Sequence, residues 1–90
     1  MVRVVVSPAW KKQTGGATVF DDVPGGTVAD ILYAFAERFP DNRQRLIDRA
    51  GRIYRYFNVY VDSELVPFAA FDSTQVRDGV IEIVPPLAGG

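Results

Sequence analysis

The stretch Pro24–Pro40, PGGTVADILYAFAERFP, carries the strongest local signal in this chain of 90 residues. Pro24, Gly25 and Gly26 break whatever strand precedes them. Thr27 then suits a helix N-cap, because its hydroxyl can accept a hydrogen bond from one of the unpaired first-turn amides. Asp30, three residues on, puts a carboxylate where those amides and the helix dipole favour it. Val28, Ile31, Leu32, Phe35 and Phe39 recur at helical spacing, an apolar stripe that reads as core and not as a ligand box. Pro40 ends the helix, since its ring cannot continue the hydrogen-bond ladder.

Strands flank this helix on both sides. Val2, Val4 and Val6 alternate with Arg3 and Val5 and stop at Ser7-Pro8, which predicts a strand with one apolar face. The polar run Lys11–Gly16 reads as a turn, and Ala17–Asp21 as a second strand with Val19 facing inward, so the chain opens on a hairpin. Downstream, Asp41–Ala50 is polar and Arg-rich, with Leu46 and Ile47 as its only large apolar residues. It reads as a short second helix or an irregular connection closed by Gly51. Ile53–Val61 is a β-branched and aromatic run that predicts a long strand. Ile53, Phe57, Val59 and Val61 share one face, interrupted by Arg55, and Tyr54, Tyr56, Asn58 and Tyr60 share the other. The tyrosine row is either a contact surface or a lid over neighbouring side chains.

Asp62-Ser63 marks a turn into a short strand, Leu65-Val66, that Pro67 confines to an edge or an end. Phe68–Val76 is irregular and anchored through Phe68, Phe71 and Val76. After the Asp78-Gly79 turn, Val80–Val84 is a final strand with Ile81 and Ile83 inward and Glu82 outward. The order β-β-α-(short helix)-β-β-β predicts an α+β fold with a mixed sheet curled over one main helix, of the β-grasp kind.

Composition removes whole classes of chemistry. There is no Cys and no His, which excludes thiol nucleophiles, histidine bases, disulfides and the usual zinc sites, so no metal ligands are assigned. Ten Lys and Arg against eleven Asp and Glu give a net charge of -1, which argues against nucleic acid or an anionic membrane as partner. Arg43, Arg45, Arg49, Arg52 and Arg55 nevertheless crowd one stretch, either as a local basic patch or as a solvated helix and strand face. No apolar run approaches the roughly 20 residues of a membrane span, and Met1-Val2-Arg3 does not begin a signal peptide, so a cytoplasmic location is expected.

The chemistry is expected in the tail. Residues 1–84 read as the domain and 85–90 as an appendage, Pro85-Pro86-Leu87-Ala88-Gly89-Gly90. The two prolines cannot extend a ladder and stiffen the backbone. The two glycines would let a narrow channel of another protein close around the chain. With glycine near 7% of average composition, such a pair ends about 0.5% of chains by chance. The reactive group is then the carboxylate of Gly90. A carboxylate becomes an electrophile once adenylated by ATP, with Mg²⁺ and positive groups stabilising the phosphoryl transfer. Attack by a persulfide or sulfide would leave a thiocarboxylate.

The ending from Asp78-Gly79 through Val84 to Gly90 resembles that of the ubiquitin-like sulfur carriers: the molybdopterin synthase small subunit, the thiamine sulfur carrier and the carrier for cysteine synthesis. Arg55–Val61 is similar to the middle strand of the cysteine-type and molybdopterin-type carriers, and the helix opening Gly26–Asp30 also fits. The resemblance implies a β-grasp protein that is no enzyme but a co-substrate, binding no cofactor of its own. It implies a ubiquitin-activating-type adenylyltransferase/sulfurtransferase that spends ATP and Mg²⁺ on Gly90, and a sulfur-accepting synthase in a cysteine, molybdopterin, thiosugar or thiamine pathway. Val84, Pro85, Pro86, Leu87, Ala88 and Gly89 match the positions that such carriers lay against their partners. The chain is longer than thiamine carriers usually are, which leaves that subgroup less favoured. It is expected alone as a monomer, or in a hetero-complex. Two other readings stand beside this one: a ubiquitin-like modifier that forms isopeptide bonds through Gly90, and an interaction module with an inert tail.

Overall fold

Val2, Val4 and Val6 are all buried, so the first strand, β1 (Val2–Val6), turns its valine face to the core as its alternation requires. The structure, a computed structural model, describes residues 1–85. A 3₁₀ turn at Pro8–Trp10 follows, capped by the Ser7 hydroxyl, and it sinks the Trp10 ring into the core. β2 (Val19–Val23) returns antiparallel to β1. Here one expectation fails. The register shifts between Val2 and Val4, which pair with Val23 and Phe20. This irregularity lets two β2 residues three apart, Phe20 and Val23, both face inward. Val19 pairs with Val5 and is 47% exposed.

The break at residues 24–27 contains a feature too short to be read from pattern. β3 (Gly26–Thr27) pairs with β6 (Gln75–Val76) in a separate two-stranded sheet. Gly25 serves that approach, since a Cβ there would lie 2.7 Å from the Val76 carbonyl oxygen. Helix α1 (Val28–Arg38) starts as expected with a complete capping box. The Asp30 amide donates to the Thr27 hydroxyl, and the Thr27 amide donates to the Asp30 carboxylate. Its stripe Val28, Ile31, Leu32 and Phe35 is buried. Phe20, Phe35 and Phe39 form a mutual aromatic cluster with centroids 4.9–5.2 Å apart. The Arg38 guanidinium covers Phe20 and Phe39 and binds the Asp22 carboxylate through two nitrogens. That hydrogen bond holds the Asp22 carboxyl below its ordinary range.

Pro40 does end α1, and it also begins α2 (Pro40–Leu46), where its missing N–H costs nothing at the first turn. Asn42 on α2 is fully buried, and neither of its amide atoms finds a hydrogen-bond partner among the described residues. A buried, unpaired amide is destabilising, and leucine has the same branched skeleton, though bulkier, with better helix propensity. Asn42→Leu should therefore raise the unfolding free energy by about 1–3 kcal/mol in a denaturant titration, and Asn42→Asp should lower it.

The long strand expected over 53–61 is largely not a strand. Ile53 makes an isolated bridge to Ile47, the Tyr54 amide donates to the Leu46 carbonyl, and only β4 (Asn58–Val61) joins the main sheet. The side-chain alternation survives without the ladder, since Ile53, Phe57 and Val59 are buried. β4 turns into β5 (Glu64–Val66) through Asp62 and Ser63, both at positive φ, 48° and 72°, as a two-residue hairpin demands. β5 is an edge strand, as Pro67 dictates. Phe71 and Val76 anchor the next segment, whereas Phe68 is 37% exposed, its ring leaning on Phe71. β7 (Val80–Val84) closes the fold between β1, to which it runs parallel, and β4, to which it runs antiparallel. The main sheet has the order β2-β1-β7-β4-β5. This is a mixed sheet curled over one main helix, the α+β arrangement expected of a β-grasp.

Candidate functional site

The last strand delivers the tail from the middle of the sheet. β7 is clamped on both sides, Ile83 opposite Val6 of β1 and Val84 opposite Asn58 of β4. The direction in which the chain leaves β7 is therefore fixed by two ladders. Val84 is 38% exposed and Pro85 half-buried. The remaining residues assigned from sequence, Pro86, Leu87, Ala88, Gly89 and Gly90, lie outside the described residues.

At the root of the tail, Val5–Pro8 and Glu82–Val84 line an open depression of about 310 Å³. It continues into the outer face of the sheet. Pairing places Val19, Val5, Glu82, Tyr60 and Leu65 in one row across all five strands. Val19 and Leu65 are 47% and 57% exposed, with Val5, Glu82 and Tyr60 half-buried. This largely apolar row, split by Glu82, lies on the solvent side of the sheet, the kind of patch that protein interfaces cover. Sequence reasoning missed Val5 and Val19, because an outward valine is recognised only when the strand register is known. Leu65 carried a weak signal, the large apolar residue before Val66 on a short strand.

The tyrosine row divides between the two roles left open for it. The Tyr56 hydroxyl donates to the Arg45 carbonyl at 2.6 Å, and its ring packs edge-on to Tyr54 and Phe57. Burial, reinforced by Tyr54, pushes its phenol above the ordinary range, so it stays a neutral donor. Tyr54 and Tyr56 therefore fasten the end of α2 to the approach of β4, while Tyr60 belongs to the outer face. Among the described residues, no three His, Cys, Asp or Glu are grouped to hold a metal ion. No helix among them is long and apolar enough to cross a membrane.

The sequence model of the ThiS family matches residues 8–90, nearly the whole chain and its final glycines. The chain belongs to the ThiS family of ubiquitin-like sulfur carriers. Sulfur carrier protein CysO of Mycobacterium tuberculosis is 28% identical over 92 residues, covering 99% of this chain and 98% of the relative. A solved structure of the Amycolatopsis orientalis BexX/CysO complex contains a chain that matches with a TM-score of 0.82 at 30% identity, over 100% of both chains. SAMP1 of Haloferax volcanii matches with a TM-score of 0.77 at 22% identity, over 99% of this chain and 98% of that one. This last likeness is one of fold. In this chain the strand at the centre of the sheet, β7, is the one that leads into the tail.

Proposed function

We propose that this chain is a sulfur carrier whose Gly90 carboxylate is the reacting group. The observation that carries the reading is the family match running through Gly90, on a domain whose central strand leads into the tail. An activating enzyme of the ubiquitin-activating type would join Gly90 to AMP, with ATP and Mg²⁺ bound on that enzyme and pyrophosphate released. Hydrosulfide then adds to the acyl carbon, and AMP leaves with the bonding electron pair. Where a persulfide is the donor, its outer sulfur adds in the same way, and a thiol then cleaves the resulting acyl disulfide, becoming a disulfide itself. The product is a thiocarboxylate at Gly90. Val84 and Pro85 would guide the tail, with Pro86, Leu87, Ala88 and Gly89 lying along the partner's channel. The acceptor would be a biosynthetic synthase, and the likeness to CysO proteins favours cysteine formation over the molybdopterin, thiosugar and thiamine alternatives. The existence of a BexX/CysO complex supports a hetero-complex as the working state.

Intact-protein mass spectrometry tests this directly. Incubation with ATP, Mg²⁺, a sulfur source and the cognate activating enzyme should add the mass difference of one sulfur for one oxygen, located at Gly90. An enzyme that is active on a control carrier but leaves this mass unchanged would refute the reading. Lysine-linked ladders on denaturing gels, without the sulfur mass, would instead assign the chain to protein modification.

A further inference from the structure

Residues 40–55 hold five arginines against two aspartates, while the rest of this acidic chain holds five basic residues against nine acidic ones. Arg43, Arg45, Arg49, Arg52 and Arg55 are all exposed. Among the described residues none of the five is in an ion pair, the pairs being Arg3 with Asp21 and Arg38 with Asp22. Asp48, which lies among them in sequence, turns to the backbone instead. One Asp48 carboxylate oxygen is committed to the amides of Ala50 and Arg52, both at 2.9 Å. The ridge is also braced. The Tyr56 hydroxyl ties the Arg45 backbone to the segment entering β4, and the Arg55 guanidinium sits 4.7 Å from the centre of the Phe68 ring. An open depression of about 360 Å³ lies among Asp48, Arg52, Ile53, Tyr54, Arg55 and Phe68.

Position gives the ridge its meaning. Asn58 pairs with Val84, where the tail begins, and Arg55 is three residues before Asn58. Three Cα steps and one cross-strand pair put Arg55 within about 17 Å of the tail's root. Six residues beyond Val84 reach at most about 20 Å. The Arg55 end of the ridge therefore lies within reach of a protein that holds the end of the tail. Arginine is the basic residue best suited to such a contact, being weakly hydrated and able to bind carboxylates through two parallel hydrogen bonds.

We propose that this ridge seats an acidic surface of the enzyme that adenylates the tail, steering the carrier so that Gly90 enters the active site. The unmodified carboxylate form is that enzyme's substrate, which makes it the first protein to take the tail. This proposal rests on the reading of Gly90 as the activated group. It is not shared by nucleic acid, for which the remainder of the surface has the wrong sign.

The test uses the full chain and an activating enzyme of the ubiquitin-activating type from the same genome, with pyrophosphate release as readout. R45E, R52E and R55E are compared with R77E, an equal charge change just after β6, before the start of β7 and so at the opposite end of β7 from the tail. Each ridge variant should raise KM for the carrier about tenfold, keep kcat within about twofold, and flatten the dependence of kcat/KM on ionic strength. R77E should leave KM unchanged. Equal KM values for ridge and Arg77 variants, or a fall in kcat at constant KM, overturn the ridge as a docking surface. Unchanged KM with lost binding of transfer RNA in a filter assay overturns it in favour of nucleic acid. A wild-type chain that releases no pyrophosphate overturns the reading of Gly90, and the ridge proposal falls with it.

Discussion

Deleting Gly90, or appending one residue to it, should lower thiocarboxylate formation by about a hundredfold or more, because a reacting atom displaced by even about 1 Å loses that much. The same variants should unfold at the wild-type temperature. The buried core ends at Ile83 among the described residues, so the last residue can be changed without touching what holds the domain together. The measurement pairs the sulfur mass gain with a thermal melt of the same sample. Loss of both signals would mean that the tail supports the fold, contrary to this reading. Retention of both would mean that neither the length of the tail nor its last residue matters to the reaction.

Phe35→Ala should have the opposite signature. Phe35 has no exposed surface and is the ring against which Phe20 and Phe39 pack, at 5.2 and 5.1 Å. Truncating it removes that ring and leaves a cavity between α1 and the sheet, at a cost of about 3–5 kcal/mol. A domain of this size has about 5–15 kcal/mol in total, so the thermal midpoint should drop by about 15 °C or more. Phe35→Leu, which keeps most of the volume, should cost under about 1.5 kcal/mol. Below its melting transition, the alanine variant should still accept sulfur, because its tail and sheet registers are intact. A melt within a few degrees of wild type would show that the aromatic cluster is not the keystone of the core.

What the sequence made legible follows the length of each signal. Eleven residues of α1 repeat their pattern three times, and capping box, stripe and terminating proline all agree. The final strand was equally plain, because Ile81 and Ile83 alternate cleanly between a strong turn and two prolines. Val19 failed because β2 is paired through a register shift, and a shift of that kind inverts inward and outward with no composition change to announce it. Residues 53–57 failed differently. Their burial alternates like a strand's, but their backbone partners are Leu46 and Ile47 at the end of α2, which no local pattern specifies. Trp10 passed without assignment, since a lone aromatic after Pro8 has no period to belong to. On the functional side, the tail chemistry could be argued from residue types alone. The outer row of Val19, Val5, Glu82, Tyr60 and Leu65 could not, because it exists only once five strands are in register.

The pairing of β1 with β7 has a consequence for how the protein is made. These strands are the first and last of the domain, yet they lie side by side at the centre of the sheet. A chain still being synthesised therefore lacks its middle strand, and the hydrophobic faces of β1 and α1 are only partly covered until Val80–Val84 has been made. Contacts so distant in sequence form late and slowly. A transcript cut short, or a chain clipped by a protease before Val80, loses the central strand and everything that follows it together. Completing the sheet and setting the direction of the residues that follow it are thus the same event.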